Sequence, residues 1–221
     1  MTPQLAGAAA VIAARQFNPS ITNQLWLVDN GIIERDEFAP GCVFTDLMIH
    51  VSTHKFALLL TPEQIQFVPN VPPSEQKSLI VGRLGLLVKT LPHTPYIAIG
   101  LNFTWHCRPS QSTVAEKSRE LFFCNSSPFF AKFDYPTARF GSYCSKEFLQ
   151  GRMKLDIKPL IIKSPEEDFE ILQFLFNYHV DLKPSQLLPE EIMSILESWE
   201  SVADESRQII DSIDWQEQES K

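Results

Sequence analysis

The chain has 221 residues, of which 44% are apolar and 21% charged, the composition of an ordinary folded protein. Its formal charge of −8 is local: residues 1–188 hold 17 acidic and 17 basic groups, and residues 189–221 hold ten acidic groups against Arg207 and Lys221. A body without cationic surplus is a poor match for nucleic acid or an anionic membrane surface, both of which need Lys and Arg to meet phosphates.

In chain order, Ala8–Phe17 reads as a first strand ended by Asn18-Pro19-Ser20. Ser20 then caps a short helix to about Val28, with Leu25 and Val28 inward and Trp26 and Leu27 widening its apolar face. Asn30-Gly31 stops it. Cys42–Val51 and Lys55–Thr61 form a hairpin around Ser52-Thr53-His54, and Gln64–Val68 extends the meander. Pro72-Pro73 introduces a helix from Ser74 to about Thr90, in which Gly82 and Gly85 permit close packing on a sheet. Pro92 ends it, and the apolar segment Tyr96–Cys107 is a strand expected at the centre of the sheet.

Thr113-Val114-Ala115-Glu116 fits a capping box for a helix to about Cys124. The following loop carries Phe129, Phe130, Phe133 and Tyr135, an aromatic density expected to pack down on the body. Arg139–Phe148 and Arg152–Ile162 read as a second hairpin turned near Gln150-Gly151, and Ile171–Leu182 as a further strand. Pro189 and Glu190-Glu191 open the last helix. A helix over 189–213 would be about 38 Å long. That length exceeds most small domains, so either it breaks near Ala203–Glu205 or part of its stripe meets another chain.

The eight glycines include no G-x-G pair and none ahead of Lys-Ser or Lys-Thr, which removes the P-loop and the dinucleotide fingerprint. No G-x-S-x-G elbow and no H-E-x-x-H pair occurs. Cys42, Cys107, Cys124 and Cys144 have no C-x-x-C spacing, so reduced thiols of a cytosolic protein are expected, with no metal and no cofactor. The apolar stretch Leu5–Ala14 lacks the positive flank of a signal peptide, and no run of about 18 apolar residues could span a membrane.

Candidate sites are few. Phe103-Thr104-Trp105-His106 and Phe176-Asn177-Tyr178-His179 both read Phe-x-aromatic-His, so each His should face away from its aromatic pair. If two related halves place them equivalently, His106 and His179 converge on a ligand or metal; hydrogen-bonded sheet histidines are the plainer reading. His50 and His54 have ligand spacing for a helix but lie in a predicted hairpin, and His93 sits in a Pro-flanked connector. Glu166-Glu167-Asp168 and Glu190-Glu191 fit helix starts or turns. Lys146, Arg152, Lys154, Lys158 and Lys163 form the only basic concentration. Lys154 and Lys158 could meet a polyanion, or the group could pair with the acidic terminal helix of the same or a second subunit.

Phe17-Asn18-Pro19-Ser20-Ile21 with Trp26-Leu27, Leu60-Thr61-Pro62 with Ile65-Gln66-Phe67, and His93-Thr94-Pro95 with Ala98–Phe103 resemble a group of uncharacterised bacterial proteins. The resemblance covers roughly the first 105 residues and, more loosely, Asn177–His179. It implies a bacterial, cytosolic setting and no catalytic residue.

The sequence therefore predicts an α+β protein of two sheet-containing halves, residues 1–110 and 111–188, with mainly antiparallel or mixed strands. An acidic amphipathic helix and tail, 189–221, completes it. The functional expectation is a non-catalytic binding or assembly protein. It would associate with itself or another protein, without nucleic acid or membrane, through Ile192, Leu196, Trp199, Val202, Ile209 and Ile213. The competing expectation is a small metal-assisted hydrolase or nuclease built on His106 and His179.

Overall fold

A computed structural model describes residues 3–184 and 188–215; the tail residues Glu217, Glu219 and Lys221 lie outside the described residues. Among the described residues nine strands are present: β1 (Gln4–Ala14), β2 (Val43–Phe44), β3 (Ile49–Ser52), β4 (Phe56–Leu60), β5 (Gln64–Pro69), β6 (Tyr96–Cys107), β7 (Ser142–Phe148), β8 (Gly151–Ile162) and β9 (Phe169–Asp181). Five helices accompany them: α1 (Gln24–Asp29), α2 (Pro73–Thr90), α3 (Val114–Phe122), α4 (Leu188–Glu197) and α5 (Trp199–Asp211).

The local chemistry explains most boundaries. The Asn18 side chain takes the amide and hydroxyl of Ser20 at 3.2 and 2.6 Å, so the turn absorbs Ser20 and α1 starts later. Asn23 caps it, accepting from the Trp26 amide at 3.0 Å. Leu27, not Leu25, is the buried residue of α1, and Leu25 is exposed. At α3 the capping box forms as expected, with Glu116 N donating to Thr113 Oγ1 and Thr113 N donating to Glu116 Oε2. The segment expected as one strand from Cys42 to Val51 is split by a turn in which Thr45 and Met48 bond one another.

The strands form one antiparallel sheet in the order β2-β3-β4-β5-β1-β6-β9-β8-β7. The strands of residues 1–110 and those of 111–188 thus share a sheet, joined where β6 pairs with β9. One row of cross-strand partners crosses all nine strands: Val43, His50, Leu59, Gln66, Val11, Gly100, His179, Arg152 and Glu147. This row belongs to the more open face. The opposite face carries Ile12, Phe67, Leu101, Phe103, Phe174, Phe176 and Leu155, all buried, beneath α2, α4 and α5.

The terminal helices close that core. The expected long helix divides at Ser198, whose hydroxyl bonds back to the Ile195 carbonyl at 2.7 Å, rather than near Ala203–Glu205. Ser206, in the weakest stretch of the apolar pattern, is buried and accepts the Trp105 indole N–H at 3.0 Å. The pattern weakens there because the sheet presents a polar partner. Trp199 lies against Phe103 with ring centroids 4.6 Å apart. Gly85 meets a helix instead of the sheet: a Cβ there would fall 2.4 Å from Met193 Sδ on α4, whereas Gly82 has nothing within 4 Å.

Trp199→Ala should lower stability by about 3–5 kcal/mol, because it leaves a large cavity against Phe103. Urea unfolding followed by circular dichroism measures this. Gly85→Leu should also unfold earlier than Gly82→Leu, since only the former must displace α4.

Candidate binding surface

Alternation on β6 and β9 sends Phe103, Trp105, Phe176 and Tyr178 into the core and His106 and His179 to the open face, as the two Phe-x-aromatic-His segments predict. The segments do not bring the histidines together. Phe103 is directly opposite Phe176 in an antiparallel pair, so equal steps along the two strands run in opposite directions. His106 ends opposite Gln173 and His179 opposite Gly100. Six residues of strand separate them, about 20 Å at 3.3 Å per residue. No single ion can bridge that gap.

Each histidine has a local partner instead. Gln173 Nε2 lies 3.1 Å from His106 Nε2, and His179 Nε2 lies 3.1 Å from Asp181 Oδ1. Between them Asn177 donates to Asn102 at 2.7 Å. These are cross-strand or same-strand pairs of a wet sheet face. His50 lies on β3 and His54 in the β3–β4 turn, and among the described residues no group of three or more His, Cys, Asp and Glu is arranged to hold a metal ion. Burial pushes the His106 imidazole below its ordinary value of 6.5.

The basic concentration is also dispersed. Lys146 points to the helical side and pairs with Glu205 of α5 in the same chain. Arg152, Lys154 and Lys158 lie on the open face, where Arg152 meets Glu147 and Lys158 meets Asp156 at 2.8 Å. Lys163 pairs with Asp168. Only Lys154 of these five has no ion-pair partner among the described residues, so they present no concentrated positive field. The apolar stripe of the terminal helices is spent inside the chain: Ile192, Leu196, Trp199 and Val202 are 0–1% exposed, and Ile209 and Ile213 pack half-buried against the core. A continuous stripe on a single straight helix would have offered a surface; the break at Ser198 folds it over the sheet.

Two of the concavities among the described residues bear on the segments singled out in the sequence. Phe17, Asn18, Ile21 and Trp26 meet Leu60 and His93-Thr94-Pro95 around a cleft of about 410 Å³. The turn after β1, the end of β4 and the connector before β6 therefore meet here, tied by Phe17 N donating to Pro62 O at 2.7 Å and Arg15 N to Pro95 O at 3.0 Å. Turns, prolines and an edge-on Phe17–Tyr96 contact at 5.8 Å make this a junction at the end of β1. A wider depression runs from Arg108 to Val114 and along Asp168–Glu170. Its acidic side chains already have partners, Glu116 with Thr113 inside the depression, Asp168 with Lys163 and Glu170 with Arg139.

The most exposed aromatic surface lies between α3 and β8. Phe129, Phe133, Tyr135 and Tyr143 are 64, 50, 67 and 65% exposed. Only part of the expected inward packing of this loop is observed. Phe140 is buried, and Phe123, Phe130 and Phe140 contact one another edge-on at 5.1–5.7 Å, leaving Phe129 and Phe133 tilted against each other outside them. Arg119 of α3 organises the lobe. Its guanidinium lies 4.5 Å from the Phe123 ring centre and donates to Asp134 Oδ1 and the Tyr135 carbonyl, each at 2.7 Å. The Phe140 amide is fixed to Ser118 Oγ at 3.1 Å. Sequence reading missed this surface, although the signal was present: a loop with no period-two or helical spacing cannot turn all its rings inward.

In an NMR titration, His106 should show a midpoint below 6.5. The unfolded chain then binds more protons between that midpoint and 6.5, so this residue's contribution to stability falls as pH drops through that window. Among known proteins, no family model, no curated sequence and no solved structure matches this chain.

Proposed function

We propose that the protein is a non-catalytic assembly protein that associates with its own kind through the aromatic lobe and the adjoining edge of the sheet. The observation that carries this reading is the grouping of Phe129, Phe133, Tyr135 and Tyr143 in one exposed stretch of chain. Exposed rings mark contact surfaces, Phe129 and Phe133 lie in contact with ring centres 5.2 Å apart, and each would contribute about 1.5–3 kcal/mol if fully buried. The lobe is held in shape by Arg119 and Ser118, so its rings are presented with little ordering left to do on contact.

The terminal helix takes a different part from the one its stripe suggests. Its apolar residues complete the core, and its acidic residues face outward, where Glu200 meets Lys77 at 2.9 Å and Asp211 meets Arg207 at 3.4 Å. No helix among the described residues is long and apolar enough to cross a membrane. Four unpaired cysteines support a reducing, cytoplasmic setting.

Light scattering across a concentration series tests the reading. The wild-type mass should exceed the 25.2 kDa of one chain, and Phe129→Ser with Phe133→Ser should return it to the monomer value while circular dichroism stays unchanged. A wild-type mass of one chain at every concentration up to about 100 μM, where contacts worth roughly 5–6 kcal/mol begin to register, contradicts self-association.

A further inference from the structure

The sheet has two edges, and they are protected very differently. β2 is two residues long and offers almost no template for further pairing. β7 at the other edge is seven residues long, contains no proline, and pairs with β8 in unbroken register from Ser142–Ile157 to Phe148–Gly151. Five of its residues, Tyr143 to Glu147, are exposed. Of the devices that normally blunt an edge, β7 lacks shortness, proline and a bulge, and its protection rests on two charged residues, Lys146 and Glu147. Its single lysine, Lys146, is drawn to Glu205 on the helical side. Only an extended backbone matches the spacing of the outward N–H and C=O groups on such an edge.

We propose that β7 pairs antiparallel with β7 of a second copy, about a two-fold axis through Ser145, joining two nine-stranded sheets into one. This rests on the assembly reading above and specifies its geometry. A second copy is favoured because the strand is complementary to itself. With Ser145 on the axis, all seven residues find an opposite: Tyr143 faces the partner's Glu147, Cys144 the partner's Lys146, and Ser142 the partner's Phe148. No like charges stand directly opposite. Sliding two residues in one direction places Lys146 on the partner's Lys146, and sliding the other way leaves fewer residues paired. Every strand pair among the described residues is antiparallel, so the two-fold continues the existing pattern. The aromatic lobe, ending at Phe140, leads directly into this strand and would flank the junction.

Ser145→Lys tests the geometry, since it places two lysines opposite one another on the axis at an exposed position. It should raise the dimer dissociation midpoint about tenfold or more, with thermal unfolding of the variant confirming that the fold persists. A second measurement needs no disruptive variant. Cys144 and the partner's Cys144 would be diagonal neighbours within about 8 Å. A short bis-maleimide should therefore cross-link Cys124→Ser protein into dimers, and Cys144→Ser added to it should abolish the product. A wild-type dimer that ignores Ser145→Lys and gives no Cys144 cross-link overturns the β7 geometry and leaves assembly standing. A wild-type chain that is monomeric throughout overturns both.

Discussion

The structure depends on the pairing of β6 with β9 and on the aromatic face this pairing makes. Ten consecutive cross-strand partners join the two strands, from Ala98–Asp181 to Cys107–Leu172. Their inward side chains, Phe103, Trp105, Phe174, Phe176 and Tyr178, are too large to leave in water. Trp199 lies tilted against Phe103, Ser206 receives the Trp105 indole, and Trp215 stands edge-on to Phe174 at 5.9 Å. The first two of these contacts lock together residues more than 90 positions apart in sequence. The terminal helices can serve the core only by bending at Ser198 and lying across this row.

That constraint decides which surfaces remain available. Because the helical stripe is consumed inside the chain, the acidic charge of the C-terminal region is displayed without an accompanying apolar seam. Because the antiparallel register separates the two Phe-x-aromatic-His segments, their histidines settle into separate pairs with Gln173 and Asp181. Among the surfaces left outside the core are the aromatic lobe after α3 and the outer edge of β7. They are neighbours in the chain, and the assembly proposal assigns both to one junction.

Elements governed by local chemistry were legible in the sequence. The capping box at Thr113, the turn at Gln150-Gly151 and the central strand Tyr96–Cys107 were all readable from spacing. Failures came where a distant partner overrides a local pattern. Leu25 has helical spacing as good as that of Leu27, but only the sheet decides which is covered. Ser206 interrupts a stripe until Trp105 is known to sit beneath it. The histidine pair failed for the same reason: a shared motif says nothing about whether its copies run parallel or antiparallel. The exposure of Phe129 and Phe133 required knowing that Phe130 and Phe140 fill the space beneath the loop.

The central claim is that the terminal helices close the core and that self-association occurs at β7. Hydrogen–deuterium exchange at increasing protein concentration tests both parts in one measurement. The account predicts that the amides of Ser142–Phe148 become more protected as concentration rises, while those of α4 and α5 are strongly protected and unchanged throughout. Protection that grows in α5 and not in β7 would contradict it.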